Sequence, residues 1–317
     1  MFQLYDIHGS IDTIVEETAV TVGVFDGVHR GHQQLLSQML PTTHYPLPTL
    51  VVTLTAHPSF VLGRRQSEYW LDDPEEHLRL LFEAGAKYVA VLPFTREVAQ
   101  LSACEMARLL YEKLNMRSLL LGYDSRFGSK QNDDFDRLPQ LATELDFTLQ
   151  RGEPFLVDGS PISSSRIRES LLKGTVEETA TLLGRPYSLT GMVLHGRGVG
   201  HTLGFPTANI SLEETRKMLP KEGVYFVKVK GESFAPLESQ ACKAGREVKG
   251  MANLGIIPTF DIDKPSLEVH LIDFKGDLYG QTVMVEFVHR IRDIVRFGST
   301  ESLQNQLQED LKACRQL

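Results

Sequence analysis

Gly23-Val24-Phe25-Asp26-Gly27-Val28-His29-Arg30-Gly31-His32 is the stretch that decides the fold of the first half of the chain. It closes an apolar, β-branched run that begins at Val20, and it directly precedes an amphipathic segment. A strand that passes through a glycine-containing turn into a helix is the repeating unit of parallel sheets. In such sheets ligands bind at the carboxyl ends of the strands, where free helix N–H groups attract phosphate.

The same alternation continues along the first half. It predicts strands at Val20 to Phe25, Thr49 to Thr55, Tyr88 to Phe94 and Ser118 to Gly122, and helices at Gln33 to Leu40, Pro74 to Ala84 and Ser102 to Leu114. Two short helical stretches follow between Ser163 and Leu183, separated by Gly174. We therefore predict an α/β domain with a doubly wound parallel sheet.

The pattern changes at Gly184-Arg185-Pro186, where we place the boundary between a domain of residues 1–184 and a domain of residues 185–317. Strands without intervening helices are predicted at Leu189 to Leu194, Gly223 to Val229, Met251 to Gly255, Leu267 to Phe274 and Thr282 to Arg290. The polar segment Gly231 to Lys249 is predicted as a hairpin loop, and Thr300 to Cys314 as a helix. This half is predicted as an antiparallel β-barrel with a C-terminal helix.

Composition excludes several classes of protein. The chain has 317 residues, of which 42% are apolar and 23% charged, so a folded two-domain protein is expected and wholesale disorder is not. No apolar run is long enough to span a bilayer, and the first ten residues do not form a signal peptide, so we predict a cytoplasmic protein without membrane contact. The three cysteines are widely spaced, which predicts reduced packing residues.

Charge argues against a nucleic-acid partner. The first 185 residues hold 17 Lys and Arg against 25 Asp and Glu, and the remainder is balanced at 16 of each. Neither half provides the basic surface that neutralises nucleic-acid phosphates. A small molecule is the expected partner.

Two groups of residues in the first half indicate phosphate chemistry. Gly27 and Gly31 allow a phosphate to approach the backbone, and His29 and His32 can both donate to its oxygens; the alternative is a pair of solvated histidines in a turn. The stretch from Ile162 to Arg168 offers capping hydroxyls and guanidinium groups at another helix start. Its alternative is an ordinary cap with surface charges.

The second half carries its own candidates. Four glycines between His195 and Gly204 permit a nest of backbone N–H groups for phosphate, although a barrel corner also favours glycine. Pro206-Thr207-Ala208-Asn209 follows, with two hard oxygen ligands of the kind that Mg²⁺ prefers. Glu268 is the single acid in a strand alternation, where it can face a pocket or solvent.

These strings together resemble the bacterial bifunctional riboflavin kinase/FAD synthetases. F-D-G-V-H-x-G-H resembles the H-x-G-H signature of nucleotidyltransferases, and A-H-P at Ala56 to Pro58, G-Y-D-S-R-F-G at Gly122 to Gly128 and I-S-S-S-R-I-R at Ile162 to Arg168 resemble further motifs of the family. The string from Gly200 to Asn209 resembles the riboflavin kinase motif G-x-x-x-G-F-P-T-A-N, and Glu268 stands in the context of that family's catalytic carboxylate.

The resemblance implies two reactions, phosphorylation of riboflavin by ATP to FMN and adenylylation of FMN to FAD. It implies Mg²⁺ as metal, and riboflavin, FMN and ATP as the bound molecules. The implied catalytic residues are His29, His32, Arg168 and Glu268, with Thr207 and Asn209 at the metal. ATP and its phosphates would contact Gly23, Phe25, Asp26, Gly27, Gly31, Ser164, Ser165, Gly198, Gly200 and Gly204. Flavin would contact His57, Pro58, Asp124, Phe127 and Arg292.

Two positions depart from the family pattern. Ser125 stands where an aromatic residue is usual, and Ile257 stands where Arg is common before Pro-Thr. Three alternatives stay open: an enzyme that retains one of the two activities, a flavin-binding regulator without catalysis, and a transferase of the same superfamily that acts on another substrate. Only the motifs of the second half distinguish the last from the bifunctional enzyme.

Overall fold

The computed structural model describes residues 2–39, 47–54, 69–125, 127–129, 134–196, 200, 203–231, 247–258 and 263–317, with the backbone alone at 257, 258, 263 and 264. The chain divides into two compact units, Met1–Ser164 and Ser165–Leu317. The helices between Ser164 and Gly184 thus pack within the second unit. The assignment of the two activities to residues 1–184 and 185–317 stays a prediction, because packing does not show which residues serve each reaction.

The strands and helices are numbered here in chain order. The strands are β1 Gln3–Asp6, β2 Gly9–Ile11, β3 Thr18–Val22, β4 Thr49–Leu54, β5 Tyr88–Leu92, β6 Met116–Leu121, β7 Thr148–Arg151, β8 Leu156–Val157, β9 Ser160–Pro161, β10 Tyr187–Leu194, β11 Ala208–Ile210, β12 Gly223–Lys230, β13 Glu247–Pro258, β14 Asp263–Leu271 and β15 Thr282–Arg292. The helices are α1 Arg30–Ser37, α2 Pro74–Glu83, α3 Ala103–Leu114, α4 Leu138–Leu145, α5 Ser164–Lys173, α6 Val176–Leu183 and α7 Thr300–Gln316.

The first unit contains the predicted parallel sheet. The strand order is β2-β1-β5-β4-β3-β6-β7, and the five strands from β5 to β7 are parallel. Alternate residues of β4 enter two separate cores, Leu50 and Val52 on one face and Val51 on the other. Burial on both faces explains why these strands appear as continuous apolar runs.

Three strands of this sheet were not predicted. β1 pairs antiparallel with β5, β2 pairs with β1, and β7 lies at the opposite edge. All three are largely exposed or half-buried, so their sequences carry no apolar run. A strand at a sheet edge needs less apolar surface, which removes the signal on which the prediction depends.

The predicted helices of this unit are confirmed, with shifted ends. α1 begins at Arg30, three residues before the predicted start, because His29 is its N-cap. α3 begins after Ser102, whose hydroxyl accepts from the Glu105 N–H while the Glu105 carboxylate accepts from the Ser102 N–H. This reciprocal capping box satisfies two N–H groups that would otherwise lack partners.

The second unit is a closed antiparallel barrel in the order β10-β11-β14-β13-β12-β15. This confirms the predicted fold class. The three-residue strand β11 was not predicted, because it is too short for an alternation to show. The predicted loop from Gly231 to Lys249 is wrong at its end, where Glu247 already begins β13, and residues 232–246 lie outside the described part of the chain.

The C-terminal helix α7 packs on the barrel. Leu307, Leu311 and Cys314 join a core with Phe226 of β12 and Met251 of β13. Cys104 and Cys314 are free thiols, whereas Cys242 lies outside the described residues. Burial, with Asp310 nearby, raises the pKa of the Cys314 thiol to about 12. Among the residues that the structure describes, no helix has the length and apolar character to cross a membrane.

Candidate active sites in the two units

The first candidate site lies at the carboxyl end of β3, in the turn that leads to α1. β3 is flanked by β4 on one side and β6 on the other, so the order of strand addition reverses at this point of the sheet. A crevice opens outside the sheet at such a switch point, and it is the usual ligand site of open α/β sheets. The predicted phosphate turn occupies this place.

His29 forms the start of α1. Its Nδ1 accepts a hydrogen bond from the backbone N–H of His32 at 3.3 Å. An Nδ1 that accepts carries no proton, so in the neutral ring the proton lies on Nε2. A Cβ at Gly31 would lie 3.1 Å from the His29 ring, so a larger residue at this position would crowd the ring against the helix start.

His32 stacks on His29. The ring centroids lie 3.6 Å apart with the planes 17° from parallel, and the Phe25 ring meets His32 edge-on at 5.1 Å. The His32 Nδ1 is buried and has no hydrogen-bond partner within the described parts of the chain. Burial, together with the nearby His29 and His77, lowers the pKa of His32 well below its usual range. His32 is therefore a neutral imidazole at neutral pH, with one N–H to donate.

The turn that precedes these histidines is strained. Phe25, Gly27 and Val28 have φ of 53°, 82° and 35°, and Val28 is β-branched. A non-glycine residue in such a region costs about 1–3 kcal/mol and persists only where its surroundings hold it. Phe25 and Val28 are both buried, so packing contributes to holding the turn.

Two hydrogen bonds tie the turn to the segment before α2. The Asp26 carboxylate accepts from the Leu71 N–H at 2.8 Å, and the Asp72 carboxylate accepts from the Gly27 N–H at 3.2 Å. These contacts give Asp26 and Gly27 a positioning role that the sequence did not indicate. Their direct contact with ATP phosphates, like that of Gly23 and Phe25, stays a prediction.

One residue of the predicted second phosphate clamp contacts the turn. The Ser164 hydroxyl donates to the Asp26 carbonyl oxygen at 3.0 Å, so Ser164, within the first unit, contacts the turn. Ser165 is exposed, and Arg168 lies on α5 among the residues of the second unit. The roles of Ser165 and Arg168 at the ATP phosphates stay predictions.

The predicted flavin contacts of this unit differ in exposure. Phe127 is 7% exposed and packs in the core with Ala103 of α3, whereas Asp124 is exposed. His57 and Pro58 lie outside the described residues. The Phe127 ring thus belongs to the core of the first unit, and a direct flavin contact for any of these residues remains a prediction.

The second candidate site is formed where the glycine turn meets β11. A Cβ at Gly196 would lie 2.0 Å from the Asn209 Nδ2, and one at Gly200 would lie 3.1 Å from the Thr207 Oγ1. Gly200 also accepts a hydrogen bond from the Phe205 N–H at 2.8 Å. Gly196 and Gly200 therefore lie against the two side chains predicted at the metal. Gly204 has φ of 82°, and Gly198 lies outside the described residues.

Glu268 lies on β14 directly opposite Asn209 of β11 and Asn253 of β13. Opposed residues of antiparallel strands carry their side chains on the same face. Leu267 and Val269 are 1% exposed and fill the barrel interior, so Glu268 and both amides face outward. Sequence reasoning missed Asn253, although a polar residue within the apolar run Met251 to Gly255 was the available signal.

The oxygen atoms of this site suit a hard divalent cation. Thr207 and Asn209 offer neutral oxygens, and Glu268 offers a carboxylate opposite Asn209. In the described parts of the chain no group of three or more His, Cys, Asp or Glu side chains could hold a metal ion. A cation bound by few protein oxygens and completed by substrate phosphates fits such a donor set.

Arg292, predicted at the flavin, is paired with Asp310 of α7. Its Nε lies 3.0 Å from both carboxylate oxygens and its Nη2 lies 2.6 Å from Oδ2, while Asp310 is 2% exposed. Gln306 donates to the same carboxylate at 2.9 Å. The pair anchors α7 to the end of β15. A flavin contact for Arg292 stays a prediction.

Comparison with known proteins connects both sites to one family. The family model for FAD synthetase matches residues 11–166, and the one for riboflavin kinase matches residues 183–317. A Haemophilus influenzae protein named bifunctional riboflavin kinase/FMN adenylyltransferase is 34% identical over 304 residues, which cover 95% of this chain and 94% of that protein. An Escherichia coli K12 protein of the same name is 34% identical over 312 residues, covering 98% and 96%.

A solved structure has the same fold. The Streptococcus pneumoniae protein described as a macrolide-efflux protein superimposes with a TM-score of 0.82 at 31% identity, over 96% of each chain. The turn of His29 and His32 falls in the segment that matches FAD synthetase, and Glu268 falls in the segment that matches riboflavin kinase. With both segments present and relatives of one name matching nearly end to end, the chain belongs to the bifunctional riboflavin kinase/FMN adenylyltransferase family.

Proposed function

We propose that the chain converts riboflavin to FMN with groups of the barrel, and FMN to FAD with groups of the parallel-sheet unit. ATP is the second substrate of each reaction. The observation that carries the proposal is the placement of Glu268 on one outer face with Asn209, separate along the chain from the stacked His29 and His32. Each reaction thus has its own set of groups for phosphate chemistry.

In the first reaction, Glu268 acts as general base. It takes the proton of the ribityl 5′-hydroxyl as that oxygen attacks the γ-phosphorus of ATP, and the bond between the γ-phosphorus and the β–γ bridging oxygen breaks. FMN and ADP result. Thr207 and Asn209 would hold Mg²⁺, which when bound neutralises charge on the phosphates. Gly198, Gly200 and Gly204 allow the backbone to approach those phosphates.

In the second reaction, a phosphate oxygen of FMN attacks the α-phosphorus of ATP, and the bond to the pyrophosphate oxygen breaks. His29 and His32 stabilise the negative charge that develops on the phosphates by donating hydrogen bonds. Because His32 is neutral, it contributes a directed N–H rather than a full charge. Ser164 and Arg168 assist at the same phosphates.

One experiment separates this proposal from its alternatives. Purified protein is incubated with riboflavin, ATP and Mg²⁺, and the flavins are separated by chromatography at successive times; the proposal expects FMN first and FAD later. FMN alone indicates one retained activity, and no ATP consumption indicates a regulator. Chelation of the metal followed by addition of Mg²⁺, Mn²⁺ or Ca²⁺ identifies the cation. The cytoplasm, which holds ATP, remains our prediction for the place of action.

A further inference from the structure

A third histidine, His77, is connected by hydrogen bonds to the turn that precedes His29 and His32. The His77 imidazole, on α2, contacts the Asp72 Oδ2 through Nδ1 at 3.0 Å and the Thr53 Oγ1 through Nε2 at 3.0 Å. Its side chain is 12% exposed and that of Asp72 is fully buried. Neither His77 nor Thr53 was indicated by any motif in the sequence.

The proton positions follow from the partners. The Thr53 hydroxyl donates its one proton to the Val24 carbonyl oxygen at 3.0 Å, because a carbonyl oxygen can only accept. Thr53 must therefore accept from the His77 Nε2–H. The Asp72 carboxylate accepts from the Gly27 N–H and from the His77 Nδ1–H. Both ring nitrogens then carry protons, so His77 is an imidazolium.

The charges around this group agree with that state. Burial alone would lower the pKa of His77, but the carboxylate of Asp72, with smaller effects of Asp26 and Glu76, raises it above its usual value. The charge of His77 is also close enough to His32 to lower the pKa of that ring. The pKa shifts therefore favour a charged His77 and a neutral His32.

Both ends of this group connect to the strained turn. Thr53 binds the carbonyl of Val24, directly before Phe25, and Asp72 binds the N–H of Gly27, directly before Val28. Phe25 and Val28 are the two non-glycine residues of the turn with positive φ. Through Thr53 and Asp72, His77 is therefore connected to both Val24 and Gly27, the first and last residues of the segment that precedes Val28 and His29.

We propose that His77 is a positioning residue for the adenylylation step, which holds the turn from Val24 to Gly27 through Thr53 and Asp72 and so fixes His29 and His32 relative to the phosphates. The inference rests on the proposed function for the transfer reaction. Misplacement of catalytic groups by about 1 Å can cost about 10²-fold in rate. The loss should therefore fall on turnover, since the phosphate ligands themselves remain.

The test compares His77→Gln, Asp72→Asn and their double variant in the full chain, with FMN and ATP supplied directly. We expect each single variant to lower kcat for FAD formation about 10²-fold while KM for ATP changes less than threefold. The double variant should lose little more than either single one, because the two residues act as a unit. Glu75→Gln, an exposed position in the same helical turn, should leave FAD formation unchanged.

Two further measurements distinguish a positioning role of His77 from a general loss of structure. Riboflavin phosphorylation by the same variants should stay within twofold of the parent, and an equal loss of both activities would overturn the proposal. NMR of ¹⁵N-labelled histidine should give both nitrogens of His77, assigned by their loss in His77→Gln, as protonated at neutral pH. A neutral His77, or FAD turnover within threefold of the parent, would also overturn it. If the parent makes no FAD, the proposed function fails, and the NMR result still decides the state of His77.

Discussion

Asn209 on β11 and Glu268 on β14 occupy directly opposed positions in two antiparallel strands. β14 is paired along its other edge with β13, so strands on both sides hold the carboxylate. A group held on paired strands is placed more precisely than one on a loop. This placement fits a base that must meet one hydroxyl proton.

Replacement of Glu268 by Gln should impair the first reaction selectively. The amide keeps the shape of the side chain but cannot take the 5′-hydroxyl proton, and general-base catalysis contributes about 10²- to 10⁴-fold. FMN production should fall by that order, measured as initial rate at saturating riboflavin, with a smaller change in riboflavin affinity. FAD formation from supplied FMN serves as the control and should persist. A phosphorylation rate within threefold of the parent would leave Glu268 without a catalytic role.

Gly196→Ala should displace the Asn209 side chain in the same site. The new Cβ would lie 2.0 Å from the Asn209 Nδ2, so the amide must move. We expect at least about tenfold lower FMN production and weaker binding of ATP with Mg²⁺, because one oxygen ligand leaves its place. Titration of the metal in the kinase assay measures this. Gly298→Ala, where a Cβ has no neighbour within 4 Å, is the matched control. Equal rates for both variants would contradict the contact.

The sequence predicted the buried elements better than the exposed ones. The strand β4 could be predicted from the apolar run Leu50, Val51 and Val52, which exists because both faces of the strand are buried in a core. Residues such as Gln3 to Asp6 form a strand only because the edge of β5 is available to them. That pairing joins residues that are distant in the sequence, such as Tyr5 and Val89, and no local sequence pattern predicts it.

The candidate sites show the same limit. The turn with His29 and His32 could be recognised because strand, glycines and histidines follow one another in a short stretch. His77 could not be recognised, because its partners Asp72 and Thr53 reach the turn only through hydrogen bonds with Gly27 and Val24, which no sequence pattern indicates. Asp26 was predicted as a phosphate ligand, and its bond to Leu71 shows that a polar residue in such a turn also serves the backbone.

His32→Ala should abolish FAD formation and leave FMN formation nearly intact. Loss of one preorganised donor to developing charge costs about 2.7–4 kcal/mol, or about 10²- to 10³-fold in rate. The measurement is the initial rate of FAD synthesis from FMN and ATP. Gln34→Ala, exposed on the same helix, should behave as the parent. An unchanged early FAD yield in His32→Ala would remove His32 from the site.

Asp310→Ala should loosen α7 from the barrel. Removing one partner of a buried ion pair typically costs about 3–5 kcal/mol, because the other charge remains without compensation. Arg292 keeps some exposure, at 19%, so the lower end is expected for the free energy of unfolding of this unit. The control is Arg315→Ala, since its pair with Asp273 is exposed on both sides and is worth less than about 1 kcal/mol. Equal denaturation midpoints would show that the Arg292 pair does not hold the helix.

Two fragments test where the barrel unit begins. Ser165–Leu317 retains α5 and α6, whereas a fragment of residues 185–317 lacks them. In the intact chain Leu171 accepts from the Lys221 N–H at 2.8 Å, and Glu177 pairs with His289 and accepts from the Arg290 N–H.

Loss of the two helices should lower stability more than activity. Val176, Leu182 and Leu183 of α6 are at most 1% exposed, and each such side chain contributes about 1.5–3 kcal/mol by burial. We expect both fragments to phosphorylate riboflavin at low temperature without making FAD. The Tm of 185–317 should be lower by more than about 10 °C, since 1 kcal/mol shifts the Tm of a domain of this size by several degrees. Equal Tm values would place the boundary at Gly184, and a folded Ser165–Leu317 without kinase activity would show that the reaction needs residues of the first unit.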